Sequence, residues 1–160
     1  MVVVGGGVIG LEMGSVWSRL GSSVTVVEFL DNIVPNVDLE VAKHFHRNLQ
    51  KQGLNFILGT KVIQVDVNNK GVALLAESVD GGSQQKIDCD VVLVAVGRKP
   101  STDNLGLEEL GVKRDKNGFL CVNDKLETSV ANILAIGDCI PGPMLAHKAE
   151  EDGVCLLYTS

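Results

Sequence analysis

The sequence predicts an α/β protein: a Rossmann-like, doubly wound parallel sheet with an antiparallel β-meander inserted into it, followed by part of a second domain. Three observations predict this fold. Fully apolar segments, typical of buried parallel strands, alternate with segments that have the period of an amphipathic helix. A glycine-rich turn follows the first apolar segment directly. Further along, polar and apolar residues alternate, which is typical of strands with one face in solvent.

Strands and helices are expected to alternate in the first part of the chain. Apolar segments predict strands over residues 1–5, 24–28 and 56–58, and helical spacing predicts helices over 8–20 and 38–52. Gly21 and Gly53 follow these helices as C-terminal stops. This order, with short connections, indicates a doubly wound parallel sheet. The residues expected on the core-facing stripes are Ile9, Met13, Val16, Trp17 and Leu20 on the first helix and Leu39, Ala42, Phe45, His46 and Leu49 on the second.

The pattern changes over residues 60–90, where no helical period is present and an antiparallel meander is expected. Residues 61–67 and 85–89 largely alternate polar and apolar side chains, whereas residues 72–78 are more continuously apolar. Turn-like residues at 68–71 and 80–82 separate the three segments. A fully apolar segment over 91–96 then predicts a return to the parallel sheet.

A domain boundary is expected near Pro100, so that residues 1–98 form one domain and residues 99–160 an incomplete second one. The second part is polar and rich in loops as far as residue 128. Residues 133–136 predict one more buried strand, and residues 146–155 predict the start of a helix. The sequence begins in a strand and ends beside a helix, so we expect a fragment of a longer protein.

The composition narrows the function. The chain has 160 residues, of which 45% are hydrophobic and 21% charged, and its net charge of −6 argues against nucleic acid or an anionic membrane as partner. No apolar run approaches the roughly 20 residues of a membrane span, and no cationic leader is present, so an intracellular protein is expected. Cys89, Cys121, Cys139 and Cys155 lack the clustering of a metal site, and reduced, mostly buried thiols are expected.

The glycine-rich turn has the chemistry of a dinucleotide site. Gly5, Gly6, Gly7, Val8, Ile9 and Gly10 fit G-x-G-x-x-G between a strand and a helix. The first glycine allows the tight turn, the second lets backbone N–H groups reach a pyrophosphate, and the third lets the helix pack close to the sheet. The N-terminus of the helix adds partial positive charge. A turn with purely structural glycines is the alternative.

Glu28 is the expected determinant of cofactor choice. It follows the second strand and lies 18 residues after Gly10. A carboxylate there can accept hydrogen bonds from both hydroxyls of an adenosine ribose, and it would repel a 2′-phosphate. Phe29 and Leu30 offer no basic group to hold such a phosphate. The sequence therefore favours NAD over NADP, with a solvated glutamate at a strand end as the alternative.

Seven stretches form a family-specific pattern: residues 5–17, 27–29, 49–53, 96–100, 104–111, 135–138 and 142–150. Together they resemble the dihydrolipoamide dehydrogenases, a family of flavin-dependent disulfide reductases. The resemblance covers roughly residues 2–154, and residues 156–160 depart from the pattern.

The resemblance implies NAD and FAD as cofactors. It makes residues 1–98 the NAD-binding domain and residues 99–160 the C-terminal portion of an incomplete FAD-binding domain, and it assigns roles to matching positions. Gly5 to Glu12, including Leu11, match the pyrophosphate turn, and Glu28 matches the ribose acid. Val62 matches a position whose backbone lies near the adenine, and Gly97 matches the glycine that lets NAD lie along the end of its strand. Asp138 matches the aspartate that binds the ribityl chain of FAD, and a turn or N-cap aspartate is its alternative. Met144, Leu145, Ala146 and His147 match a segment under the flavin, where a structural role is expected for His147.

The family reaction needs two cysteines a few residues apart and a histidine base paired with a carboxylate. The nearest pair here, Cys139 and Cys155, is 16 residues apart, so we expect no catalytic residue in this chain and no activity from it alone. The resemblance implies a homodimeric parent that serves 2-oxo acid dehydrogenase complexes through lipoyl domains, in the bacterial cytoplasm or the mitochondrial matrix. The alternatives are a mercuric reductase-like parent and a stand-alone NAD-binding or redox-sensing module.

Overall fold

The computed structural model describes residues 1–69 and 71–159. Contacts divide the chain into two compact units, Met1–Gly97 and Arg98–Ser160. The described residues form two sheets, and both belong to the first unit. Its elements, in chain order, are β1 (Val2–Val4), α1 (Val8–Arg19), β2 (Thr25–Val27), α2 (Leu39–Lys51), β3 (Asn55–Ile57), β4 (Thr60–Asn68), β5 (Gly71–Ser78), β6 (Gln84–Cys89) and β7 (Val92–Val94).

The parallel sheet has the strand order β3-β2-β1-β7, so β1 lies between β2 and β7. Successive side chains of β1 point to opposite faces of the sheet. Val3 lies in the core that α1 and α2 cover, whereas Val2 and Val4 pack with the meander. Apolar residues on both faces are what the fully apolar segments of the sequence predicted. The helix-side core consists of Val3, Leu11, Val24, Val26, Ile33, Val34, Ala42, Leu49 and Leu54.

The expected core stripe of α1 is wrong. Gly10, Leu11 and Gly14 are the buried residues of this helix, whereas Met13 and Trp17 are 41% and 44% exposed. The cause is the close approach of the helix to the sheet. A Cβ atom on Gly14 would lie 3.4 Å from a methyl group of Val24, so the small side of the helix faces the sheet. The bulky residues consequently point away from it; Ile9, Val16 and Leu20 are exposed as well.

Helix α2 begins where the sequence predicts, with Asp38 as its N-cap. The Asp38 carboxylate accepts hydrogen bonds from the backbone N–H groups of Glu40 (2.9 Å) and Val41 (3.3 Å), which satisfies donors that have no partner inside the helix. Ala42 and Leu49 are buried against the sheet. The other apolar residues of the expected stripe, Leu39 and Phe45, are exposed, so the buried stripe is narrower than predicted.

The meander covers the second face of the parallel sheet. Strands β4, β5 and β6 are antiparallel, with β5 in the centre. Leu74 of β5 is fully buried and packs with Val2 and Val27 of the parallel sheet. The central position of β5 between two strands explains why its sequence is more continuously apolar than those of β4 and β6. The expected α/β fold with an inserted meander is therefore confirmed.

The second unit has less regular structure. It contains the short helix α3 (Leu107–Leu110), a 3₁₀ turn (Gly137–Cys139) and α4 (Ala146–Thr159). Helix α3 lies in the segment expected to be loop, and α4 extends past the expected residues. Five buried residues form a separate core in this unit: Leu107, Val112, Leu120, Ala135 and Ile140.

The strand expected over residues 133–136 is wrong. Leu134 forms only an isolated antiparallel bridge with Glu127. A strand needs an adjacent strand with which to form a ladder. Here, among the described residues, the opposing segment adds only two backbone hydrogen bonds, from Thr128 N–H to the carbonyl of Ile133 and from Ala135 N–H to the carbonyl of Leu126, so no continuous ladder forms. Ala135 and Ile133 instead pack in the core of the second unit, whereas Leu134 is exposed.

The expectation of mostly buried thiols is also only partly right. Cys89 and Cys139 are half-buried, whereas Cys121 and Cys155 are exposed. Cys121 lies in irregular structure and Cys155 on an outward position of α4. Among the described residues, no helix combines the length and the apolar character needed to cross a membrane.

His46 of α2 is half-buried, with its ring edge-on to Phe56 at a centroid distance of 4.4 Å. Its Nε2 atom is buried and makes no hydrogen bond to any of the described residues. Burial lowers the pKa of His46 below its ordinary value of 6.5, because a charged imidazolium would lose hydration there.

We predict that His46 makes the protein less stable in mild acid. Above pH 6.5 the imidazole is neutral in both states; as the pH falls below this value, the unfolded chain takes up a proton that the folded chain still excludes. His46→Phe, which keeps an aromatic ring against Phe56, should lose less stability between pH 8 and about pH 5.5 in urea unfolding. His44→Phe, at an exposed position of the same helix, is the control. Equal pH dependence in wild type and His46→Phe would refute this role.

Candidate functional site

The glycine-rich turn lies at the carboxyl end of β1, where the backbone of the sheet approaches it closely. Gly5 has φ +110° and donates a hydrogen bond from its N–H to the carbonyl of Val27 (2.8 Å). A Cβ atom on Gly5 would lie 2.3 Å from the carbonyl oxygen of Ala95. One on Gly10 would lie 2.3 Å from the carbonyl oxygen of Gly5. Both contacts are shorter than any side chain tolerates, so the fold itself requires these two glycines.

Gly7 differs from its neighbours, because a Cβ atom there would have no atom within 4 Å. Gly7 is the N-cap of α1, no side chain in the described part of the protein caps this helix, and its first turn contains no acidic residue. The first N–H groups of a helix have no partner within the helix, and they carry partial positive charge. This uncapped end therefore offers donors and open space for an anion, as a pyrophosphate requires.

The residues that follow Gly7 differ in their exposure to solvent. Val8 and Ile9 are 63% and 47% exposed at the open end of α1. Leu11, which the resemblance includes in the site, is 2% exposed and packs in the core. Only its backbone is therefore near the turn. Glu12 is exposed on the next turn of the helix.

Glu28 lies directly beside the turn and is only 9% exposed. Its Oε2 atom accepts a hydrogen bond from the N–H of Gly6 (2.5 Å), and its Oε1 atom accepts one from the N–H of Leu30 (2.8 Å). A carboxylate has about four lone-pair positions, so each oxygen can still accept a hydroxyl. The contact with Gly6 was not predicted, because a spacing of residues along the chain does not specify which atoms meet.

Gly97 and Val62 complete the predicted nucleotide-side positions. Gly97 follows β7, whose Val94 pairs with Val4 of β1, and it has φ +132° with no atom within 4 Å of an added Cβ. Val62 lies two residues after Thr60, whose N–H donates to the carbonyl of Glu28 (2.9 Å). Its side chain packs with the meander core, and a register shift follows it in β4. The carboxyl ends of β1, β2 and β7 thus bring the turn, Glu28 and Gly97 to one edge of the sheet.

The predicted flavin-side residues belong to the second unit. Asp138 lies in the 3₁₀ turn, not at the end of a strand as expected, and it forms an ion pair with Arg98 (3.5 Å). Met144 is half-buried, whereas Leu145, Ala146 and His147 are exposed at the start of α4. Among the contacts of the described residues, none pairs His147 with a carboxylate.

Residues 1–153 match the family model of the pyridine nucleotide-disulphide oxidoreductases. The mitochondrial dihydrolipoyl dehydrogenase of Pisum sativum is 57% identical over 159 residues, which are 99% of this chain and 32% of that protein. The leghemoglobin reductase of Vigna unguiculata is 58% identical over 154 residues, which are 96% of this chain and 29% of that protein. The chain thus spans about a third of the length of the curated relatives it matches.

The fold has a close counterpart among solved structures. The flavoprotein disulfide reductase RclA of Escherichia coli, solved as its Cu(II) complex, aligns with a TM-score of 0.88 at 28% sequence identity. The alignment covers 97% of this chain and 34% of the RclA chain.

The two buried glycines of α1 provide a matched test of the close backbone approach. In Gly10→Ala the new methyl group would also lie 3.1 Å from a methyl of Val3, and we expect a loss of about 1–3 kcal/mol in the free energy of unfolding, as for overpacked cores. Gly14→Ala, whose nearest contact is 3.4 Å, should lie within about 1 kcal/mol of wild type, because the gain in helix propensity offsets the tighter packing. Denaturant titrations measure both; similar losses in the two variants would contradict the explanation.

Proposed function

The chain belongs to the pyridine nucleotide-disulphide oxidoreductase family, and on that premise we propose that it is the NAD-binding part of a dihydrolipoyl dehydrogenase. The observation that carries the proposal is the uncapped N-terminus of α1 beside the buried carboxylate of Glu28. The helix end supplies backbone donors for a pyrophosphate, and the carboxylate supplies acceptors for ribose hydroxyls. The Gly6–Glu28 hydrogen bond joins the glycine turn to the carboxylate, so the two features are adjacent and one nucleotide can contact both.

NAD is the proposed nucleotide, because a buried carboxylate disfavours the additional charge of a 2′-phosphate. Leu30 and Phe29 follow Glu28, and neither provides a cation for such a phosphate. The role of this chain is to bind and orient NAD with Gly5–Gly10, Glu28, Val62 and Gly97. When bound, NAD accepts a hydride.

FAD is the second cofactor of the proposed parent enzyme, and the second unit would supply a small part of its site. Asp138 offers a carboxylate for the ribityl hydroxyls, and the segment Met144–His147, which leads into α4, would offer its backbone. The Arg98–Asp138 ion pair is half-exposed and leaves the carboxylate accessible to hydroxyl groups. The pair of thiols that the family reaction requires would come from elsewhere in the parent, because Cys139 and Cys155 are 16 residues apart.

The parent enzyme is proposed to oxidise dihydrolipoamide and reduce NAD⁺, as a homodimer that serves 2-oxo acid dehydrogenase complexes through their lipoyl domains. The mitochondrial matrix is the proposed compartment, since the relative from Pisum sativum is a mitochondrial protein. The bacterial cytoplasm remains the alternative. The leghemoglobin reductase of Vigna unguiculata is as similar as the dehydrogenase, so a parent with that activity is the second candidate.

The whole chain tests the proposal directly. We expect the 160-residue chain to bind NADH weakly, to retain no yellow flavin through gel filtration and to show no turnover with dihydrolipoamide. The reason is that it provides the Gly5–Gly10 turn, Glu28 and Gly97, but neither a second pyrophosphate turn nor a close pair of thiols. Isothermal titration, absorption spectra and an NAD⁺-reduction assay are the measurements. Retained FAD or turnover would overturn the assignment of domains.

Cofactor choice provides the second test. Glu28→Ala should weaken NADH binding by about 1–3 kcal/mol, the scale for hydrogen bonds to a charged group. It should also narrow the difference in affinity between NADH and NADPH. Glu28→Arg should narrow it further, because the guanidinium attracts a 2′-phosphate. Glu40→Ala removes an exposed carboxylate from α2 and is the control. Equal NADH affinity in wild type and Glu28→Ala would exclude the ribose role.

A further inference from the structure

The peptide groups of Gly6 are held from both sides by other groups of the protein. On one side, the Gly6 N–H donates to Oε2 of Glu28 at 2.5 Å. On the other, the Gly6 carbonyl accepts a hydrogen bond from the N–H of Val34 at 2.9 Å. Gly6 lies between Gly5, which the fold holds against Ala95, and Gly7, which faces open space.

Val34 makes its contact from a strained conformation. Its φ of +42° is in the left-handed region, which is rare for a β-branched residue. The side chain is 5% exposed and packs in the helix-side core together with Ile33, which is 1% exposed. Burial of these two side chains holds the strained backbone in place. Such strain persists only where the surrounding structure enforces it, and it is frequent at ligand sites.

The two contacts belong to one loop after β2. Oε1 of Glu28 accepts a second hydrogen bond from the N–H of Leu30, whose carbonyl in turn accepts one from Gly59 at 3.0 Å. Glu28 therefore fixes the start of the loop and the glycine turn at the same time, and Val34 returns the loop to that turn. A carboxylate that served only a ribose would need none of these contacts.

We propose that Glu28 and Val34 are positioning residues that clamp the Gly6 peptide and keep the phosphate-binding turn formed before any nucleotide arrives. The inference deepens the proposed function and rests on it for the identity of the ligand. A preformed turn saves the entropy of ordering the loop on binding, so the clamp favours any nucleoside diphosphate. Glu28 consequently contributes to affinity even for ligands that lack ribose hydroxyls.

Amide hydrogen exchange in the nucleotide-free 160-residue chain tests the clamp. In Glu28→Ala, the Gly6 amide should exchange about tenfold faster, which corresponds to about 1.4 kcal/mol, close to the lower end of the scale for a hydrogen bond to a charged group. Asp38→Ala is the matched control, since Asp38 also accepts from two backbone N–H groups but caps α2 instead. Glu28→Gln retains one neutral acceptor and should give an intermediate rate. Unchanged exchange at Gly6 in Glu28→Ala would overturn the clamp.

The Val34 side of the clamp has its own variant. Val34→Ala shortens the buried side chain that holds the left-handed backbone, so the amide of residue 34 should exchange several-fold faster. Val37→Ala, in the same loop but 40% exposed, should leave that amide unchanged. A Val34→Ala variant with wild-type exchange at this amide would remove Val34 from the proposal.

Titration with two nucleotides separates positioning from ribose binding. ADP and 2′,3′-dideoxyadenosine 5′-diphosphate are the probes. The chemical shifts of the turn amides report the binding of each probe. If Glu28 only binds the ribose, Glu28→Ala will not weaken the dideoxy probe; the clamp predicts a loss of about threefold to tenfold for both probes. Failure of wild type to bind ADP and NADH would refute the proposed function, whereas the exchange experiment would still decide the clamp.

Discussion

The close approach of three backbone segments at Gly5 and Gly10 is the constraint on which the first unit depends. The carbonyl of Gly5 occupies the space of a Cβ on Gly10, and the carbonyl of Ala95 occupies that of a Cβ on Gly5. Strand β1, helix α1 and the end of β7 therefore converge to distances that only glycine permits. The same convergence leaves the N-terminus of α1 pointing out of the sheet edge, with Gly7 in open space. Packing and the candidate site thus have a common cause.

This constraint also explains where prediction from the sequence succeeded and where it failed. The order of strands and helices, the inserted meander and the family resemblance were all predicted, because periodicity and short motifs are local properties. The buried face of α1 was mispredicted, since hydrophobic spacing identifies an apolar stripe but not its distance from the sheet. Gly10 and Gly14 decide that distance, and the bulky Trp17 is left 44% exposed. The strand prediction for residues 133–136 was wrong for a related reason: strand formation depends on a partner segment that the apolar pattern does not reveal.

The candidate site was predictable in its residues but not in its contacts. The spacing from Gly10 to Glu28 reflects the length of one strand-helix-strand unit, so the carboxylate could be placed at the turn from the sequence. The hydrogen bonds of Glu28 to Gly6 and Leu30, and that of Val34 to Gly6, depend on the path of the loop after β2. Nothing in the sequence signals that Val34 adopts φ +42°, because valine is disfavoured there. Tertiary packing of Ile33 and Val34 overrides that local preference.

One carboxylate with two functions limits how the specificity of such a site can change. If Glu28 both holds the turn and contacts the ribose, its removal eliminates repulsion toward a 2′-phosphate while loosening the donors that bind the pyrophosphate. For NADPH, these two effects on the binding affinity oppose each other. For NADH, the lost ribose contact and the loosened turn both weaken binding. A new basic residue at position 28 would add attraction for the phosphate, but a guanidinium cannot accept the Gly6 N–H. Tight binding of NADPH in this fold would therefore need two changes: the loss of the acid, and a second acceptor for the Gly6 N–H, supplied from the loop after β2.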